Sequence, residues 1–167
     1  GKPIYPGIVW QDRRTNETCN KLKLEGYEEV IKESTGLILD PYFSATKIKW
    51  ILDKLKETEG IIEKDDLICG TIDSWIIWNL TNRKMHLTDY TNASRTLLYN
   101  INNKDWDDDL LELFNIPRKM LPEVKNSIDN FGITHEYNIP INAVAGDQQA
   151  ALFGQGCFSK NSSKCTY

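Results

Sequence analysis

The stretch from Ala143 to Phe153, reading Ala-Val-Ala-Gly-Asp-Gln-Gln-Ala-Ala-Leu-Phe, constrains the fold more than any other part of the chain. A short apolar run, Ile139 to Ala145, is too brief for a helix and leads into Gly146, Asp147 and a helix-forming segment, which predicts strand, tight turn, helix. Asp147 then stands at the carboxyl end of a strand. In open α/β sheets ligands bind at that edge, because loops surround a crevice and the following helix offers unpaired N–H groups. The residues alone leave two readings. Asp147 meets a substrate, or it is an N-cap that accepts a hydrogen bond from the N–H of residue 149 or 150 and complements the helix dipole.

A similar switch is expected near the start of the chain. Gly7-Ile8-Val9-Trp10 reads as a short strand ending at Gln11-Asp12-Arg13-Arg14, after which Thr15 can cap a helix carrying Leu22 and, beyond Gly26, Val30 and Ile31. Trp10 lies over a ligand or is core, the commoner place for an indole. Asp12, Arg13 and Arg14 read as structural ion pairs or a subunit contact, although paired arginines can also bind phosphate. Gly36 breaks the helix, Pro41 bars Asp40 from αR, and Tyr42 falls on a loop ahead of Ser44, the expected N-cap of the next helix. The Tyr42 phenol either binds a substrate hydroxyl or staples the loop. Beyond Ser44, the spacing of Ile48, Ile51, Leu52 and Leu55 predicts an amphipathic helix whose buried face Trp50 widens.

Further along, Gly60 to Asp66 reads as a charged loop and Leu67-Ile68-Cys69 as a minimal strand. Asp73 is expected to cap a helix from Ser74 to Leu80 that is apolar around most of its circumference, and hence deeply packed. The hydroxyl-rich run Thr88 to Thr96 either lines a site or faces solvent. Asp107, Asp108 and Asp109 suit the first turn of a helix and lack calcium-loop spacing. Tyr167 ends what looks like the start of another strand. Short strands alternating with helices indicate an α/β sheet domain.

Composition excludes several function classes. At 167 residues, 40% apolar and 26% charged, the chain can bury one domain-sized core. A net charge of −4 with interspersed signs argues against nucleic acid and offers no basic patch for a membrane surface. No run approaches the ~18 apolar residues of a transmembrane helix, and the first residues lack a signal-peptide core, so the expected compartment is the cytoplasm. Cys19, Cys69, Cys157 and Cys165 are scattered and no histidine lies near a thiol, which argues against a zinc site or a disulfide framework.

Four runs carry a family resemblance: Gly7-Ile-Val-Trp-Gln-Asp-Arg-Arg14, Asp40-Pro-Tyr-Phe-Ser-Ala-Thr-Lys-Ile-Lys-Trp50, Thr88-Asp-Tyr-Thr-Asn-Ala-Ser-Arg-Thr96 and Ala145-Gly-Asp-Gln-Gln-Ala-Ala-Leu152. Together, in order and over essentially the whole chain, they resemble the FGGY carbohydrate kinase family. The Gly-Asp-Gln-Gln and Pro-Tyr-Phe-Ser combinations are more similar to its glycerol-phosphorylating members than to its pentulose kinases. The resemblance implies ribonuclease H-like α/β domains of the actin and hexokinase ATPase type, with ATP and an alcohol meeting in the cleft between two of them. It makes Asp147 the catalytic base, with a magnesium contact as a further role, and Gln148 and Tyr42 ligands of glycerol hydroxyls. Trp10 becomes an apolar wall against the glycerol carbons. The implied product is sn-glycerol 3-phosphate. Such a site is chemically coherent: a triol needs convergent hydrogen-bond partners and one apolar surface. In phosphoryl transfer the base has only to take the hydroxyl proton and hold the nucleophile in line.

On this resemblance, residues 1–167 are the central and C-terminal part of an N-terminal kinase domain, an incomplete domain with the second one absent. An Arg-Glu segment completing the glycerol site is expected before Gly1, and a phosphate-binding Gly-Thr-Gly loop after Tyr167. The isolated chain is therefore expected to be inactive, and its parent a homo-oligomer. Two alternatives stay open, a catalytically silent paralogue serving as an interaction or regulatory subunit, and a kinase for another polyol or sugar.

Overall fold

The computed structural model describes residues 1–59 and 67–166; the expected loop at 60–66 and the strand start at Tyr167 lie outside the described residues. Helices α1 (Asn16–Leu24), α2 (Tyr27–Thr35) and α3 (Ser44–Glu59) come first. Then follow α4 (Ile72–Leu80), β1 (Leu87–Asp89), α5 (Tyr90–Ala93), β2 (Tyr99–Asn100), β3 (Asp105–Trp106), α6 (Asp108–Phe114), β4 (Glu123–Lys125) and α7 (Asp147–Gly154).

Glycine sets the first two helix boundaries. Gly26, at φ 88°, separates α1 from α2, and Gly36, at φ 70°, closes α2 by donating its N–H to the Lys32 carbonyl at 2.8 Å. Both sit in the left-handed region, where a Cβ is penalised. Thr15 precedes α1 but does not cap it with its side chain. It is buried instead, and its hydroxyl meets that of Thr46 at 2.8 Å, tying α1 to α3. Ser44 is the first residue of α3 rather than its cap. Leu55 is buried, with Ile48 and Leu52 packed against the main core of Ile31, Leu39, Phe43, Leu98, Leu110 and Phe114. Each such side chain contributes about 1.5–3 kcal/mol by leaving water. Trp50 does not widen that face. It lies outside it, edge-on to Tyr5 at 5.5 Å and beneath the Arg14 guanidinium.

The strands are short and paired at long range. β1 runs parallel to β4 in the register Leu87↔Glu123, and β2 pairs antiparallel with β3. Three expected strands do not form as such. Residues 7–9 form no strand with any of the described residues, and the Val9 carbonyl is taken by the N–H of Asp12 and by Lys47. Among the described residues, 67–69 make one backbone bond, from Cys69 N to the Met120 carbonyl. Residues 139–145 do run antiparallel to 127–134, with bonds Phe131 N to Ile141 O, Ile141 N to Gly132 O and Val144 N to Ser127 O, but only as isolated bridges. Pro140 has no N–H to continue a ladder.

Helix α4 also departs from expectation. Its N-cap is Thr71, and the Asp73 carboxylate accepts the hydroxyls of Thr71 and of Thr88, the latter at 2.6 Å. Only Ser74 and Ile77 are buried, on the side packed against β1 and Phe131. Ile72 (69% exposed), Trp75, Ile76 and Leu80 face outward. A helix apolar all round but packed on one stripe leaves its other stripe in water. Helix α6 carries Asp108 and Asp109 in its first turn as expected, while Asp107 stands one step earlier as its N-cap, accepting from the N–H groups of Asp109 and Leu110.

Candidate active site

Helix α7 begins where the sequence puts it, but Asp147 is not its cap. Gly146 holds the N-cap position in extended backbone (φ −61°, ψ 150°), and Asp147 is the first helical residue, exposed and making no capping bond. Its carboxylate therefore stands free at the positive end of the helix, where the unpaired N–H groups favour an anion. Gln148 is beside it, with Nε2 3.5 Å from Asp147 Oδ2, the outer limit of a hydrogen bond. Lys164, which no sequence motif singles out, donates from Nζ to Gln148 Oε1 at 2.7 Å and to the Thr166 hydroxyl. That contact turns the Gln148 amide so that its N–H₂ faces the Asp147 side, and brings a positive charge to the same edge.

The other two candidates form a second pair. The rings of Trp10 and Tyr42 lie 5.6 Å apart at 52°, both exposed, and the Tyr42 hydroxyl makes no hydrogen bond among the described residues. Buried Lys47 joins their loops, its ammonium donating to the Val9 carbonyl at 2.7 Å and the Tyr42 carbonyl at 3.1 Å. Burial pushes the Lys47 amine below its ordinary range against the opposing pull of Asp12 and Asp40. The Asp40 carboxylate accepts the Tyr42 N–H at 2.8 Å and pairs with Arg13 at 3.0 Å. Asp12 pairs with Arg14 at 2.8 Å, whose hydrogen bonds hold the Asp12 carboxyl down at about 2. The three charged residues are thus ion-pair elements around the loops, as one of the sequence readings had it. No hydrogen bond, ion pair or ring contact among the described residues links the Trp10–Tyr42 pair to Asp147 and Gln148.

The Thr88 to Thr96 run is mostly buried or half-buried, with Arg95 exposed. Asp89 is fully buried and its carboxylate accepts five hydrogen bonds: from the N–H and hydroxyl of Thr91, the N–H and Nδ2 of Asn92, and the Ser127 hydroxyl. A single sequence carries the local part of this pattern, an Asp capping a turn two and three residues on, but not the contact with Ser127.

Among the described residues no three His, Cys, Asp or Glu side chains converge to hold an ion, and the four cysteines are free thiols. Asp147 offers one accessible carboxylate. That fits magnesium held mainly by phosphate oxygens, which needs only one or two carboxylates from protein.

Residues 1–154 match the model of the FGGY family of carbohydrate kinases, N-terminal domain. The glycerol kinase of Staphylococcus epidermidis is 56% identical over 172 aligned residues, covering 100% of this chain and 34% of the relative. The structure of Plasmodium falciparum glycerol kinase with ADP superposes with a TM-score of 0.88 at 38% identity, over 95% of this chain and 33% of that one. A xylulose kinase from Lactobacillus acidophilus shares the fold, with a TM-score of 0.79 at 22% identity over 92% of this chain and 32% of that one. The chain spans about a third of the length of the relatives it matches. Its architecture is that of the ribonuclease H-like, actin and hexokinase-type ATPases, and the chain belongs to the FGGY family of carbohydrate kinases.

Proposed function

We propose that this chain is the substrate-side part of an ATP-dependent glycerol kinase, and that Asp147 is its general base. The carrying observation is the exposed Asp147 carboxylate in the first turn of α7, uncommitted to capping because Gly146 has that position, within a chain 56% identical to a glycerol kinase. A carboxylate so freed can accept the proton of an attacking hydroxyl and orient its oxygen in line with the phosphoryl donor. Gln148 and Tyr42 then bond glycerol hydroxyls, and the Trp10 indole excludes water from the carbon backbone. A site that bonds each hydroxyl discriminates against analogues lacking one.

In this reading residues 1–167 form the central and C-terminal part of the kinase's N-terminal domain, a second domain completes the cleft, and the enzyme is cytoplasmic. Magnesium bound with ATP supplies charge neutralisation on the phosphates, with Asp147 as the residue able to contact it. Lys164, beside Gln148, adds a positive charge suited to an anionic donor.

The test is Asp147→Asn in the full-length kinase. Turnover of glycerol should fall by about 10²–10⁴, the range for loss of a general base. Folding stability should change by less than ~1 kcal/mol, since only a first-turn dipole interaction is weakened. A stable variant with turnover within a few-fold of the parent sinks the assignment.

A further inference from the structure

Among the described residues the Asp147 side chain makes no hydrogen bond apart from the long contact with Gln148, so the backbone before it has to set where it stands. The N–H of Gly146, which is buried, donates to the Thr91 hydroxyl at 2.7 Å across 55 residues. The same hydroxyl donates to Asp89 Oδ2 at 2.7 Å. A carboxylate oxygen only accepts, so the hydroxyl's one proton is committed to Asp89 and a lone pair is left for the Gly146 N–H. A second route runs in parallel. Ser127 donates its hydroxyl to Asp89 Oδ2 at 2.6 Å, and its carbonyl accepts the Val144 N–H at 2.9 Å. The backbone N–H groups one and three residues before Asp147 are therefore held by two residues whose side chains converge on one buried carboxylate.

We propose that Asp89, acting through Thr91 and Ser127, is a positioning residue that sets the placement of Asp147 for proton transfer. The proposal rests on Asp147 being the base. Gly146 contributes through its N–H rather than through glycine's conformational freedom, because φ −61° is open to any residue. Proton transfer and in-line attack are steep functions of geometry, so a carboxylate displaced by an ångström costs turnover on the order of a hundredfold.

The experiment is a mutant cycle in the full-length kinase, read by kcat, by KM for ATP and by thermal unfolding. Thr91→Val removes the hydroxyl at nearly constant shape, and kcat should fall about tenfold to a hundredfold with KM for ATP unchanged. Thr91→Ser keeps the hydroxyl and should retain kcat to within about threefold. In the Asp147→Asn background, Thr91→Val should cost no further turnover, because residues acting through one group are not additive. Additive losses, or Thr91→Val at parental kcat while Asp147→Asn is inactive, overturn the positioning role and leave the base intact. Asp147→Asn at parental kcat overturns both. If Thr91→Val does not fold, Thr91→Ala takes its place in the cycle, and failure of both to fold overturns the proposal in favour of a purely structural role.

Discussion

Trp10 and Tyr42 face each other with ring centroids 5.6 Å apart, although they lie on separate loops. Neither loop has regular secondary structure to hold it. The contact depends on the buried Lys47 ammonium, which bonds the carbonyls of Val9 and Tyr42 from the first turns of α3.

Tyr42→Phe tests the substrate role of the phenol without disturbing the ring pair. The hydroxyl has no partner among the described residues, so stability should be unchanged. Glycerol binding by the full-length kinase should weaken by roughly 1–3 kcal/mol, the cost of an unmade buried hydrogen bond. Unchanged KM and kcat would return Tyr42 to a loop staple.

Lys47→Met keeps the length of the side chain and removes its donors. The Val9 carbonyl still has the Asp12 N–H at 3.1 Å, but the Tyr42 carbonyl loses its bond from Lys47. We expect destabilisation of about 1–3 kcal/mol and a rise in KM for glycerol that exceeds any fall in kcat. Equilibrium denaturation and steady-state kinetics check the two halves separately. A larger effect on kcat than on KM would mean that Lys47 serves something other than the Trp10–Tyr42 surface.

Acid stability should depend on Asp12 and Asp107. Arg14 holds Asp12 at about 2, and Asp107 also lies below its ordinary value, burial raising it but hydrogen bonds from Asn100 and Leu110 outweighing that. For a carboxylate depressed by folding, the stabilisation is present above the unfolded value and is lost as pH falls through the folded one. Stability should thus decline from about pH 4 toward pH 2, and Asp12→Asn should flatten the slope slightly, since an exposed pair contributes little. Asp107→Ala, which deletes the cap of α6, should cost about 0.5–2 kcal/mol near neutral pH. Urea denaturation across this range is the measurement, and a slope unaltered by Asp12→Asn would exclude that pair as a contributor.

The outward stripe of α4 should make the 167-residue chain associate when prepared alone. Ile72, Trp75, Ile76 and Leu80 put adjacent apolar surface in water, the kind of patch that seeks a partner. Ile72→Glu combined with Ile76→Glu should shift the chain toward monomer in sedimentation velocity, with thermal stability nearly unchanged because neither side chain is buried. A monodisperse parent chain at micromolar concentration would count against this.

Features governed by neighbours a few residues away were legible in the sequence. The spacing of Ile48, Leu52 and Leu55 gave α3, Gly36 the end of α2, Asp107 the start of α6, and the Gly146-Asp147 step the start of α7, because turn periodicity, capping and left-handed φ are short-range effects. The placement of Tyr42 on a loop ahead of α3, and of Asp147 and Gln148 at the start of α7, was also readable, whereas Trp10, expected at a strand end, lies in a turn. Partners distant in sequence were not readable. Tertiary structure decided that β1 pairs with β4 and that α4 packs on one stripe only. It also buried Asp89 among five donors and joined the Gly146 N–H to the Thr91 hydroxyl. No local propensity encodes a bond that spans 55 residues, because capping and turn preferences reach only a few positions along the chain.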